Sequence, residues 1–117
     1  MSQVIINDVE LDIDMEDADF QERYEAAFEK MSGAEKKLQK AGKASEITRG
    51  YCDMFYSLFD DIFGDGTGEK LFKGKRSISL VNDTYDQFIS VCSQQAKEAQ
   101  NRMKKMVSKY APNKGRR

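Results

Sequence analysis

The run Tyr51-Cys-Asp-Met-Phe-Tyr-Ser-Leu-Phe-Asp-Asp-Ile-Phe-Gly-Asp-Gly-Thr-Gly-Glu-Lys-Leu-Phe72 constrains this chain more than any other. Ile47, Tyr51, Met54, Phe55, Leu58, Phe59, Ile62 and Phe63 recur at steps of one, three and four, which makes one helix with a broad apolar face. A face that wide cannot be covered by one neighbour, so the helix must be central, contacted from two sides. Ser45 with Thr48 offers its start. Gly64, Gly66 and Gly68 follow it and supply the positive-φ freedom of a sharp exit, so the stretch is read as a structural turn after a core helix. Its residues are packing residues, and any functional chemistry has to be sought elsewhere.

Two further helices flank it. Asp17 or Asp19 caps the first, with Glu22 and Glu25 suiting its positive N-terminal dipole. Its stripe runs Phe20, Tyr24, Ala27, Phe28, Met31, Ala34, Leu38 and Ala41, ending near Gly42, with Gly33 as a place for a kink. The last helix starts at a cap on Ser79 or Asn82. Its stripe is Val81, Tyr85, Phe88, Val91, Cys92, Ala96, Ala99, Met103, Met106 and Tyr110, ending before Pro112. Some 30 residues at 1.5 Å rise make a rod of roughly 45 Å, longer than a three-helix core needs, so the distal half projects or packs on a partner. Ahead of the helices, Val4-Ile-Ile-Asn-Asp-Val-Glu-Leu-Asp-Ile13 reads as a β-hairpin turning at Asn7-Asp8. Val9, Leu11 and Ile13 alternate with Glu10, Asp12 and Asp14, giving one apolar and one acidic face. A lone hairpin is marginal, so its apolar face must cover the helices.

The expected fold is therefore mainly α: a small N-terminal β-hairpin followed by a three-helix bundle with a long C-terminal helix. The 117 residues suffice for one domain, assigned to 1–111, with 112–117 as a basic flexible tail. There is no apolar run near the roughly 20 residues that span a bilayer and no signal-like N-terminus, so no membrane contact is expected and the chain is read as intracellular.

Net charge is only -1, but the ends differ. Residues 1–30 hold ten acids (Asp8, Glu10, Asp12, Asp14, Glu16, Asp17, Asp19, Glu22, Glu25, Glu29) against Arg23 and Lys30. Residues 97–117 hold Lys97, Arg102, Lys104, Lys105, Lys109, Lys114, Arg116 and Arg117 against Glu98 alone. Such ends attract each other, within one molecule or between copies, in a salt-dependent way.

No site of reaction chemistry emerges. Histidine is absent, and Cys52 and Cys92 each sit in a helical apolar pattern without a C-x-x-C partner, which suits small buried hydrophobes. Gly68 and Gly74 lie one residue too far apart for a phosphate loop, Arg76 stands where Ser or Thr is required, and a helix precedes the loop instead of a strand. A calcium loop begun at Asp61 would have Phe63 at its third position and Phe72 at its twelfth. Asp60 and Asp61 are adjacent acids with no second half of a reaction beside them. The expectation is a non-enzyme with no catalytic residue, cofactor or metal. The basic end can meet phosphates, but a pI near 5.5 and an acidic front half oppose a nucleic-acid footprint. The remaining candidate is the stripe Met103, Met106 and Tyr110, an adaptable face for binding a partner helix.

The segments INDVELDID, DADFQERYEAAFEKM and FDDIFGDGTGEKLF, leading into a final helix, resemble a family of small proteins encoded by phages and prophages of Gram-positive bacteria, similar to tail assembly chaperones of long-tailed phages. The resemblance spans Ile5 to about Ile89 and is sharpest from Phe59 to Phe72; the basic extension after Ile89 departs from the pattern. It implies a helical, non-enzymatic protein of the host cytoplasm. Its partners would be the tape measure protein and then the tail tube protein that displaces it, with association between copies in keeping with the charged ends. The alternatives are a minor virion or connector protein and a nucleic-acid-binding regulator.

Overall fold

The computed structural model describes residues 2–110. Strands β1 (Ser2–Ile6) and β2 (Val9–Ile13) precede helices α1 (Ala18–Lys36), α2 (Ala44–Phe63), α3 (Thr67–Phe72) and α4 (Ile78–Tyr110). The hairpin and the three long helices are those expected; α3 is an addition. The tail assigned to 112–117, and residue 111 before it, lie outside the described residues.

The hairpin turns through Asn7 and Asp8, both in the left-handed region (φ 52° and 66°), the conformation a two-residue turn of this hand requires. The antiparallel register pairs Val4 with Leu11 and Ile6 with Val9, which puts Ile6, Leu11 and Ile13 on the buried face. Ile5, opposite Glu10, is on the other face and exposed. Asn7 also anchors the turn: its Nδ2 donates to the Leu71 carbonyl (3.0 Å) and to Thr84 Oγ1 (2.8 Å). Thr84, fully buried in α4, passes its own proton to the Leu80 carbonyl. Two residues chosen by the backbone for a turn and by the core for a small polar filler thus tie β1, α3 and α4 together.

Asp17 is the N-cap of α1, accepting from the Phe20 N–H at 2.9 Å. The helix runs unbroken through Gly33 but stops at Lys36, not near Gly42 as its apolar stripe suggested. Its last turn tightens, Lys37 N–H bonding to Ala34 and Leu38 N–H to Glu35, while Leu38 still packs on the core from the loop. The stripe outlasts the helix because an apolar residue just past the end can still reach the same face.

Helix α2 begins at Ala44 after Lys43, with no side-chain cap, so Ser45 lies inside its first turn. It is central as expected, with Cys52, Met54, Phe55, Tyr56, Leu58, Phe59 and Ile62 all buried. Phe59 meets the rings of Phe72 (5.8 Å) and Phe88 (5.2 Å) edge-on, so that α2, α3 and α4 share one aromatic cluster. Helix α4 is capped by Ser77, whose Oγ accepts from the Leu80 N–H and whose carbonyl accepts from the Val81 N–H. Ser79 and Asn82, the expected caps, lie within it. Asn82 instead accepts the Tyr51 hydroxyl proton at 2.7 Å, joining α2 to α4.

The glycine turn needs correction. Gly64 (φ 116°) and Gly66 (φ 92°) supply the turn, but Gly68 is helical, inside the first turn of α3. Glycine is required there for space: a Cβ would lie 2.9 Å from both Cα and carbonyl O of Tyr56. Asp60 reaches across to accept the Gly68 N–H at 2.8 Å, satisfying an orphan donor at the start of α3. The approach seats Tyr56 with its hydroxyl donating to the Lys75 carbonyl (2.7 Å) and the Arg76 guanidinium 3.8 Å over its ring. Arg76 is held there by Asp53 at 2.9 Å.

Candidate binding surface on the distal helix

The residues that looked chemical are structural. Asp60 holds α3, while Asp61 pairs with Lys30 at 3.1 Å, so the two adjacent acids serve different contacts. Cys52 and Cys92 are buried and unpaired. Burial pushes both thiols up, Cys92 to about 12, which keeps that sulfur protonated and unreactive at neutral pH. Among the described residues, no group of three or more metal-ligating side chains converges, and no helix is long and apolar enough to cross a membrane.

The α4 stripe divides in two. From Val81 to Cys92 its inward positions are sealed: Val81, Thr84 and Phe88 are fully buried and Cys92 nearly so. Among the described residues, the last side chains that anchor α4 to the body are Gln95 and Arg102. Gln95 Nε2 donates to the Ile13 carbonyl and its Oε1 accepts from the Met15 N–H, both at 2.9 Å, so one side chain closes the exit of β2. Arg102 forms an ion pair with Glu16. The acidic front and basic end of the chain therefore do meet within one molecule, at this junction.

Beyond it residues 103–110 are all exposed and no other described element packs on them, in a molecule measuring 66 × 30 × 22 Å. Met103, Met106 and Tyr110 are 67%, 51% and 72% exposed, and the structure brings all three onto one face. Val107, four residues after Met103 and three before Tyr110, was passed over in the sequence in favour of Met106; it is 58% exposed and widens that face. The spacing Ala96, Ala99, Met103, Met106, Tyr110 alternates three and four residues, continuing the phase of Tyr85 and Cys92, as in a coiled-coil seam. Lys104, Lys105 and Lys109 occupy the remaining sides. Such a face can grip an apolar helical stripe through adaptable thioethers while cations contact flanking acids.

A second apolar depression, a groove of about 240 Å³, lies between α1 and α2, walled by Ala27, Met31, Ala34, Leu38, Met54 and Leu58. Lys30 and Asp61 form their ion pair at its rim. It is less exposed than the seam and has no matching charge excess.

No curated protein and no solved structure matches the chain. One family model does, across residues 7–117, from the hairpin turn that docks on α4 through the basic C-terminal segment. A match of that extent places the protein in a family of unknown function, DUF6673.

Proposed function

We propose that this protein is a non-enzymatic tail assembly chaperone of a long-tailed phage that binds the tape measure protein in the host cytoplasm until tube protein displaces it. The observation that supports this best is the distal half of α4. Its apolar seam at Met103, Met106, Val107 and Tyr110 lies outside the core on a rigid rod flanked by lysines. A client with long, aggregation-prone helical stripes needs a narrow adaptable surface that binds without enclosing it, and methionine-rich helix faces meet that need. The hairpin, α1, α2 and α3 then serve as the body that holds the rod.

Co-expression with the tape measure protein of the same gene cluster tests this. The expected outcome is co-purification and rescue of tape measure solubility, weakened at high salt because the cationic flanks contribute. Met103→Glu with Met106→Glu should abolish that capture while thermal unfolding, followed at high dilution where self-association plays no part, remains cooperative at an unchanged midpoint. No capture at either salt concentration overturns the assignment. Recovery of this chain in purified mature particles by mass spectrometry would make it a minor virion component instead.

A further inference from the structure

The distal seam has two gradients along it, and they run together. Side-chain size rises outward, from Ala96 and Ala99 beside the body to Met103, Met106 and Tyr110 at the free end. Charge rises outward too. At the body the seam passes the acidic exit of the hairpin, Asp14, Asp17 and Asp19, with Glu16 already paired with Arg102 and the exit joined to α4 through Met15 and Gln95; at the free end come Lys104, Lys105 and Lys109.

We propose that in the free protein this seam is covered by the same seam of a second copy, running antiparallel about a two-fold axis near Met103. That arrangement satisfies both gradients at once. With Met103 opposite its own counterpart, Ala96 faces the second copy's Tyr110 and Ala99 faces its Val107, next to Met106. Small residues are set against large ones and the two helices can approach closely. The lysine-bearing end of each helix then runs towards the acidic hairpin exit of the other, an attraction that salt screens over roughly 10 Å. On one flank lie Gln100 and Val107, which are uncharged. On the other Arg102 is already neutralised by Glu16. A parallel pair fails on both counts, setting alanine against alanine, Tyr110 against Tyr110 and the two lysine clusters against each other. The contact is isologous and closes at two copies, so it forms dimers and not filaments. The overlap from residue 96 to 110 is about 21 Å at 1.5 Å per residue, two heptads, so the dimer should be concentration-dependent and exchangeable. The proposal does not depend on the client's identity, and it explains how a chaperone surface stays covered until a client competes for it.

Sedimentation equilibrium of the purified full chain, from low micromolar to near-millimolar concentration, should show the mass doubling at low salt and the midpoint moving to higher concentration as salt is added. Met103→Glu with Met106→Glu should return it to a monomer of unchanged helicity. Orientation is read by mild oxidation of single-cysteine additions, with the native thiols silent in the core. Ala96→Cys mixed with Tyr110→Cys should give the mixed disulfide dimer, whereas Ala96→Cys alone should not cross-link. A monomer across the whole range, a dimer that survives the double glutamate change, or self-cross-linking of Ala96→Cys each overturns the proposal. Because client capture plays no part in these measurements, the chaperone assignment can fail while the dimer stands, and the reverse.

Discussion

The two halves of α4 share one helix and one apolar period, yet Phe88 is fully buried and Met103, fifteen positions on, is 67% exposed. The period does not change between them, although the side chains turn from Val81, Tyr85 and Phe88 to alanine, methionine and lysine. What changes with them is the supply of neighbours. The hairpin, α1 and α2 cover α4 as far as the Gln95 clamp on Ile13 and Met15, and the body then ends. Periodicity thus states which face of a helix is apolar; only the count of other elements able to reach it states whether that face is core or docking surface.

The comparison is broken most forcefully by truncating one residue in each half. Phe88→Ala removes a ring shared by Phe59, Phe63 and Tyr24 and should cost about 3–5 kcal/mol in urea unfolding. Met103→Ala, measured at concentrations where the chain is monomeric, should change the same quantity by no more than about 0.5 kcal/mol. Comparable losses at both sites would put the distal seam inside the core. Next in size is Gly68→Val, expected to cost about 1–3 kcal/mol because its side chain meets Tyr56 backbone at 2.9 Å and that backbone cannot give way alone. Gly33→Ala is the control, with open space around it, and should be neutral or slightly stabilising.

Alkaline pH separates the halves in another way. Burial raises the folded-state pKa of Cys92 from 9.0 to about 12 and lifts those of Tyr24, Tyr56 and Tyr85 as well. A raised pKa means that the unfolded chain loses protons first. The associated stability is complete below the unfolded value near 9 and declines as pH climbs towards 12. A loss on the order of 1 kcal/mol by pH 10 is expected from the thiol, and Cys92→Ala should flatten that part of the profile. A profile unchanged by the substitution would show that the thiol is not sequestered as its packing implies.

These contrasts also explain what was legible in advance. The hairpin, the central α2 and the long α4 were visible because each carries its own period and its own turn signal, and the Met103, Met106 and Tyr110 face was visible as surplus helix length. Helix α3 was not. Six residues, Thr67–Phe72, are too short to display a period, and Gly68 there read as flexibility when its role is close approach to Tyr56. The caps were partly misplaced because several Ser, Thr and Asn stood within a turn of each start, and only packing selects among them: Asn82 was claimed by Tyr51, leaving Ser77 to cap α4. Thr84, Gln95 and the anchoring contacts of Asn7, which the sequence marked only as a turn residue, escaped notice for a related reason. Their partners lie 64 to 82 positions away along the chain, and no local spacing signals such a contact.

The smallest effect marks where the two halves of α4 join. Glu16 and Arg102 are both partly exposed, so their ion pair is worth little in isolation, between zero and about 1 kcal/mol, and salt should diminish it. A double-mutant cycle with Glu16→Ala and Arg102→Ala, measured on the monomer, should give a coupling energy in that range. Its value locates the boundary. If the coupling is near zero, α4 is free from Gln95 onward and the rod is longer than the packing of Glu16 suggests. A coupling well above the range would mean that the acidic exit grips the helix firmly, and that only the last two turns, Met103 to Tyr110, are available for docking.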